Sequence, residues 1–180
     1  IASKKPDVVM AVPLGAGCVT FLSALAAAKA QDTSWKPATF ITNTCASSLI
    51  LGAAGAAADG IYSTLHYSDS LDTPRNKAFR LAYAKTFKLQ PDVYAVQGYD
   101  SGLLLLQGAN AVKGDLSNKK ALYEAMEKAV IDSPRGKWTM SKAHNPVQDI
   151  YLRVVKGKEN VVLGVAAKAL ADSGTGCKLA

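Results

Sequence analysis

The stretch Asp7-Val-Val-Met-Ala-Val-Pro-Leu-Gly-Ala-Gly17 decides the fold of this chain. Its first six residues are nearly all apolar and end at Pro13, which is typical of a short buried strand. The glycines of Pro13–Gly17 indicate a tight turn, and the alanine-rich segment from Cys18 to Ala30 has the composition of a helix. The stretch therefore predicts a strand that turns directly into a helix.

The same order continues along the next fifty residues. A second strand is predicted at Ala38–Thr42, a helix at Leu49–Ala58 with Ser47 or Ser48 as its N-cap, and a third strand at Ile61–His66. Alternating strands and helices favour parallel pairing with right-handed crossovers. The fold class predicted is therefore α/β, with a doubly wound parallel sheet.

The middle of the chain breaks this alternation. It predicts three consecutive helices and then three strands: Asn76–Phe87, Tyr94–Val112, Ser117–Ala129 with Ser117 as N-cap, Lys137–Met140, Val147–Lys156 and Asn160–Ala167. Three helices without an intervening strand fit poorly on the small sheet already predicted. We expect them to cover strands that lie elsewhere.

Composition excludes several classes of protein. The 180 residues are 49% hydrophobic and 19% charged, a balance that suits a packed core. The net charge is +7, but the lysines are scattered and no stacking aromatic platform accompanies them, so nucleic acid is not an expected partner. No apolar run reaches the roughly 18–20 residues of a membrane helix. The opening Ile-Ala-Ser-Lys-Lys-Pro, without Met or signal peptide, suggests a cut inside a longer sequence.

Four stretches of the chain, taken in order, carry a family resemblance. The chain resembles the type I periplasmic solute-binding proteins, specifically the branched-chain amino acid group of ABC importers. The stretches are Asp59-Gly-Ile-Tyr-Ser63, Pro91-Asp-Val-Tyr-Ala-Val-Gln-Gly-Tyr-Asp100, Asp132-Ser-Pro-Arg-Gly136 and His144-Asn-Pro-Val-Gln-Asp-Ile-Tyr-Leu-Arg153.

The resemblance implies a division of the chain between two lobes. Proteins of this family have two α/β lobes, and their chain crosses between the lobes three times. Residues 1–64 would belong to the second lobe, residues 65–134 would return to the first lobe as helices, and residues 135–180 would complete the second lobe. The strands beneath the helices would then come from a missing N-terminal half of the same protein.

Two loops and one histidine are the candidate ligand contacts. Ligands of such sheets bind beyond the carboxyl ends of the strands, where Pro13–Gly17 and Asn43–Ser47 are expected. The individual candidates are Pro13, Leu14, Gly15, Ala16, Asn43, Thr44 and, close to a predicted hinge, His66. For the glycine loop a plain tight turn is the alternative interpretation, and for Asn43 and Thr44 it is an ordinary polar loop.

The chemistry of these loops bears on the ligand class. The resemblance implies an acidic residue in the second loop, which pairs with the ligand ammonium, and an aromatic residue in the first. Thr44 and Leu14 stand at those positions. A buried ammonium without a counter-charge is costly. The residues therefore favour a small organic acid, with an aromatic or otherwise hydrophobic body, over leucine or valine.

Cofactors, metals and catalysis are not indicated. Gly15-Ala-Gly17 lacks the third glycine and the acidic residue of a dinucleotide fingerprint. His66 and His144 are far apart in sequence, without the further ligands that a metal site needs. No Gly-x-Ser-x-Gly nucleophile elbow is present. No cofactor, no metal site and no enzymatic activity are therefore predicted.

The three cysteines allow one disulfide within the chain. Cys18 begins the first helix and Cys45 follows the second strand. If those strands are neighbours, the two residues lie at the same end of the sheet, within reach of the ~5.5–6 Å that separates bonded α-carbons. We expect a Cys18–Cys45 disulfide, with two free buried thiols as the alternative. Cys177 would be free or paired with the missing half.

These observations predict the solute-binding subunit of an ABC importer. It would capture a small organic acid or amino acid between two lobes, in the periplasm, and deliver it to a membrane permease. The alternatives are a periplasmic ligand-sensing domain of a signalling protein and, less favoured, a nucleotide-cofactor enzyme.

Overall fold

The computed structural model describes residues 1–176 and 178, without the side chains of Asn43 and Leu49. Contacts between residues divide the chain into two compact units. Unit 1 contains Ile1–Ser70 and Tyr151–Gly164, and unit 2 contains Leu71–Ile150 and Val165–Ala180. The chain passes from one unit to the other at 70/71, 150/151 and 164/165. That these units correspond to the two lobes of a complete binding protein stays a prediction.

Unit 1 is built on parallel strands. Strands β1 (Val8–Ala11), β2 (Ala38–Ile41) and β3 (Tyr62–Leu65) pair in parallel in that order. Strand β6 (Pro146–Lys156) starts in unit 2 and ends in unit 1, where it pairs antiparallel with β3. Between the parallel strands lie helices α1 (Gly17–Gln31) and α2 (Ser48–Ala54), with 3-10 turns at Asn43–Ala46 and Gly55–Ala58. The predicted α/β class with a parallel-rich sheet is confirmed.

The core of unit 1 lies between these helices and one face of the sheet. Its fully buried members come from both helices, from the strands and from the returning strand β6; they include Cys18, Leu22, Cys45, Leu51, Ile61 and Val155. Ser47 is the N-cap of α2, because its hydroxyl accepts a hydrogen bond from the Ile50 N–H at 3.5 Å. This is one of the two caps that the sequence predicted for that helix.

Unit 2 contains the three consecutive helices. They are α3 (Pro74–Phe87), α4 (Val93–Ala111) and α5 (Lys119–Glu127). Two short strands follow, β4 (Val130–Ile131) and β5 (Trp138–Met140), which pair antiparallel with each other. The first part of β6 pairs with β5, and β7 (Glu159–Leu170) pairs with β6.

Two details of unit 2 differ from the sequence-based expectation. The predicted N-cap Ser117 is wrong: the Asn118 side chain accepts from the Ala121 N–H at 3.2 Å, while the Ser117 hydroxyl donates to the Asp115 carboxylate at 2.5 Å. The carboxylate outcompetes the helix end for that hydroxyl. The two-residue strand β4 was not predicted, because it is too short to show any periodicity.

Helices α4 and α5 pack closely at Gly108. A Cβ atom at that position would lie 2.6 Å from Cγ of Met126 and 2.9 Å from Cδ1 of Leu122. Both neighbours lie on α5. The absence of a side chain at Gly108 is what allows the two helices to approach.

We therefore expect Gly108→Ala to lower the free energy of unfolding by about 1–3 kcal/mol, since overpacking outweighs the helix propensity gained. Urea denaturation measures the change. Gly102→Ala is the matched control on the same helix, because a Cβ there meets nothing within 4 Å, and it should be neutral or stabilising. Equal effects of the two substitutions would contradict this account of the helix contact.

Within residues 1–176 and 178, no helix combines the length and the apolar composition that crossing a membrane requires.

Candidate functional site

The candidate site of unit 1 lies where its three parallel strands end. The loop Pro13–Ala16 follows β1, the 3-10 turn Asn43–Ala46 follows β2, and His66 follows β3. Because the strands are parallel neighbours, their carboxyl ends share one edge of the sheet. Strand β3 also contacts the Asn43–Ala46 turn. The sequence-predicted positions are thus brought to a common edge.

The first loop is exposed and shaped by local bonds. Leu14 is 70% exposed, and Gly15 has a φ of 54°, a left-handed conformation that glycine adopts without strain. The N–H groups of Gly17 and Cys18 donate to the carbonyls of Leu14 and Gly15, each at 3.1 Å. These two amides at the start of α1 are therefore already used within the turn.

The second loop is joined to the first by a hydroxyl group. Thr42 Oγ1 donates to the Pro13 carbonyl at 3.2 Å and lies 3.1 Å from Thr44 Oγ1. Thr44 is half-buried at this edge. The side chain of Asn43 lies outside the described part of the structure, so its predicted contact stays a prediction.

A disulfide bond connects the same two loops. Cys18 in the first turn of α1 is bonded to Cys45 in the 3-10 turn, with their α-carbons 5.2 Å apart. Both residues are fully buried. The bond therefore lies in the core, close to the exposed residues Leu14, Gly15 and Ala16 of the first loop. Cys177 lies outside the described residues.

A buried arginine on β6 lies next to β3, and the site residues predicted from the sequence did not include it. Arg153, on β6 opposite Ser63, is 3% exposed. It donates to the Ser63 hydroxyl at 2.9 Å and to the Tyr67 carbonyl at 3.1 Å. Burial lowers the pKa of the Arg153 guanidinium to about 10, partly opposed by the charge of Asp69, so the group stays charged at neutral pH. His66 is half-buried beside this segment.

The electrostatics of the edge favour an anion. Neither loop contains a carboxylate: Pro13–Ala16 and Asn43–Ala46 are apolar, amide or hydroxyl residues, with Cys45 in the disulfide. Helix α1 has no acidic residue in its first turn and no side-chain cap at Ala16. The positive end of its dipole is therefore not neutralised locally. Such an edge suits a carboxylate better than an ammonium group.

Another charged group, Asp100 at the end of the second family motif, belongs to unit 2 and has a structural role. Asp100 is buried, and its Oδ2 accepts from Arg135 Nε at 2.6 Å, Ser133 Oγ at 2.9 Å and Trp138 Nε1 at 3.0 Å. This buried cluster explains the presence of Ser133 and Arg135 in the Asp132–Gly136 motif. Tyr99 contacts Phe79, with ring centroids 4.9 Å apart, and so packs within its own unit.

Side chains that could bind a metal ion are not grouped in the described part of unit 1 or of unit 2. Among the residues that the structure describes, no three His, Cys, Asp or Glu side chains lie together so that they could hold a metal ion. His144 pairs with Glu127 in unit 2, at 2.9 Å, and His66 lies in unit 1.

Sequence reasoning missed Thr42 and Arg153. Thr42 ends a strand whose other residues are mostly apolar, and a hydroxyl at such an end is a usable signal. Arg153 interrupts the apolar run of β6, and a charge within a strand otherwise rich in Tyr, Leu and Val indicates a buried partner.

Comparison with known families gives one match that spans most of the chain. The sequence model of a family described as periplasmic binding protein matches residues 1–160. A search of curated proteins gives no match.

Solved structures give close matches over nearly the whole chain. A solute-binding protein of an ABC transporter from R. palustris, in complex with benzoate, is 44% identical with a TM-score of 0.86, over 99% of this chain and 48% of that protein. A second, from Rhodopseudomonas palustris BisB5 with 3,4-dihydroxybenzoic acid, is 27% identical with a TM-score of 0.80, over 97% and 48%.

More distant matches share the fold alone. The branched-chain amino acid transporter substrate-binding protein of Streptococcus pneumoniae, in complex with isoleucine, is 19% identical with a TM-score of 0.69, over 89% of this chain and 44% of that protein. The chain thus spans about half the length of the solved structures that it matches.

Proposed function

Because the chain belongs to the type I periplasmic binding proteins, we propose that it forms part of the solute-binding subunit of an ABC importer. The subunit captures a small organic acid or amino acid between two lobes and delivers it to a membrane permease. Binding proteins of this kind close by a hinge motion around the ligand. The chain acts as a passive binder and catalyses no reaction. The matched proteins in complex with benzoate and with 3,4-dihydroxybenzoic acid are both described as solute-binding proteins.

The single observation that carries the proposal is the shared edge of the three parallel strands in unit 1. The exposed loop Pro13–Ala16, the turn Asn43–Ala46 and His66 meet there, at the position where α/β sheets bind their ligands. The remaining contacts would come from the half of the relatives' length that this chain does not span.

An aromatic acid is the ligand class that we favour. The relatives with 44% and 27% identity are described with benzoate and 3,4-dihydroxybenzoic acid. The local chemistry points the same way, since Leu14 and Thr44 supply no negative charge to an ammonium. An apolar loop beside a positive helix end suits a ring that bears a carboxylate.

A periplasmic location follows from the same family membership and is supported by the Cys18–Cys45 disulfide. Disulfides persist in oxidising compartments, of which the bacterial periplasm is one.

Calorimetric titration of the full-length gene product tests the ligand class. We expect benzoate to bind with a dissociation constant of about 1 μM or tighter, which corresponds to roughly −8 kcal/mol, and leucine to give no heat. Thr44→Asp places a carboxylate at the edge and should weaken benzoate binding at least about tenfold through charge repulsion.

Thr86→Asp is the matched control for that variant. Thr86 is an exposed threonine on α3 in unit 2, and the same substitution there should leave the affinity for benzoate within about twofold. Micromolar binding of leucine, with no heat from benzoate or its hydroxylated forms, would overturn the preference for an aromatic acid.

A further inference from the structure

We propose that the Cys18–Cys45 disulfide positions the ligand loops, so that ligand affinity depends on this bond. The inference rests on the proposed function, in which Pro13–Ala16 and Asn43–Ala46 contact the ligand. It assigns to the bond a role in binding in addition to its role in stability.

The bond joins the two loops close to the residues that would contact the ligand. Cys18 lies two residues after Ala16, and Cys45 directly follows Thr44. Any change in the separation of these cysteines therefore moves one loop relative to the other. The hydrogen bonds from Gly17 and Cys18 to Leu14 and Gly15 shape the first loop but do not connect it to the second.

Among the described residues, one hydrogen bond from a side-chain hydroxyl also joins the loops beyond the end of the strand ladder. It is the hydrogen bond from Thr42 Oγ1 to the Pro13 carbonyl, 3.2 Å long and half-buried. The last register pair of β1 and β2 is Ala11 with Ile41, so Pro13 and its successors lie outside the ladder. A single neutral hydrogen bond contributes little net free energy, so the covalent bond dominates the position of the loop.

The disulfide lies in the core and not on the surface that would contact the ligand. Cys18 and Cys45 are each 0% exposed and pack in the core with Leu22 and Leu51, whereas Leu14, Gly15 and Ala16 are exposed above them. The sulfur atoms are therefore covered by the loops and need not touch the ligand. Their effect on affinity is one of preorganisation: a loop that is already held in place loses less conformational freedom when the ligand binds.

The test compares two variants of the full-length gene product at a temperature at which both are folded. Cys18→Ala/Cys45→Ala removes the bond, and we expect benzoate to bind about tenfold more weakly by calorimetry. The matched control is Leu25→Ala, which destabilises the same core from a buried position two turns along α1 and leaves both loops and the disulfide unchanged. Its affinity for benzoate should stay within about twofold of the wild type.

The outcomes separate this inference from the proposed function. A wild-type protein that does not bind benzoate overturns both. A wild type that binds, together with a double variant of equal affinity, overturns the positioning role alone. Equal losses in the double variant and in Leu25→Ala also overturn it, because general destabilisation then explains the effect.

If the double variant does not fold, a second variant still tests the inference. Thr42→Val removes the hydrogen bond to the Pro13 carbonyl and retains the disulfide. We expect about a threefold loss of benzoate affinity, since this contact is the weaker of the two links. A loss of about tenfold or more in Thr42→Val, with the disulfide intact, would overturn the dominant role of the bond, whereas a smaller loss or none agrees with it.

Discussion

Asp100→Ala is expected to lower the free energy of unfolding by about 3–5 kcal/mol, the largest effect of any single substitution considered for this protein. The substitution removes the carboxylate that pairs with the guanidinium of Arg135, and both side chains are at 5% exposure or less in the native structure. It also removes the acceptor of Ser133 Oγ and Trp138 Nε1. A buried charge that loses its partner costs far more than the intact pair contributes.

Urea denaturation followed by circular dichroism measures this loss. The matched control is Asp132→Ala, which removes an aspartate from the same motif whose side chain is 67% exposed and which pairs with Arg75 Nε at 3.2 Å. An exposed pair of this kind is worth about 0–1 kcal/mol, so the control should unfold nearly like the wild type. If both substitutions cost less than about 1 kcal/mol, the Asp100 cluster does not hold unit 2 together in the way described.

Loss of the disulfide should have the second largest effect, about 3.5 kcal/mol. The sequence separation of Cys18 and Cys45 is 27 residues, and closing a loop of that length in the unfolded chain accounts for this value. The double variant Cys18→Ala/Cys45→Ala should therefore unfold at a clearly lower urea concentration than the oxidised wild type.

A reductant provides the control for the stability measurement. Dithiothreitol in the urea series reduces the bond once the chain unfolds. The urea concentration at the midpoint of the wild-type transition should then fall to that of the double variant. The double variant itself should not respond to the reductant. A double variant that unfolds together with the oxidised wild type would show that the bond does not constrain the unfolded chain.

The order of the strands and helices was predicted well because each of them has a local signal in the sequence. Short apolar runs that end at proline, glycine or polar residues gave the three parallel strands. The disulfide followed from topology: once β1 and β2 are taken as parallel neighbours, Cys18 and Cys45 share one end of the sheet. In both cases the decisive information lies within a few residues of the feature.

Features that depend on distant partners were harder to predict. The partner of Asp100 is Arg135, 35 residues away, and an isolated aspartate in a helical segment gives no sign that it is buried. Gly108 likewise looks like an ordinary helical glycine until Met126 and Leu122 are placed beside it. The position of the two loops after the parallel strands β1 and β2 was predicted correctly, whereas the link through Thr42 needed the packed structure. That the loops contact a ligand stays a prediction.

The pairing of β3 with β6 has a consequence for how the protein is made. Ser63 and Arg153 are 90 residues apart, and β3 therefore lacks its second neighbour until the later segment has been synthesised. At about 5–20 residues per second, translation of that interval takes roughly 5–18 s. During this time β3 presents an unpaired strand edge, the kind of surface at which chains aggregate. Non-local pairing of this kind also slows folding. The topology that brings Pro13–Ala16 and Asn43–Ala46 to one edge therefore leaves β3 to be completed late, by a distant segment of the chain.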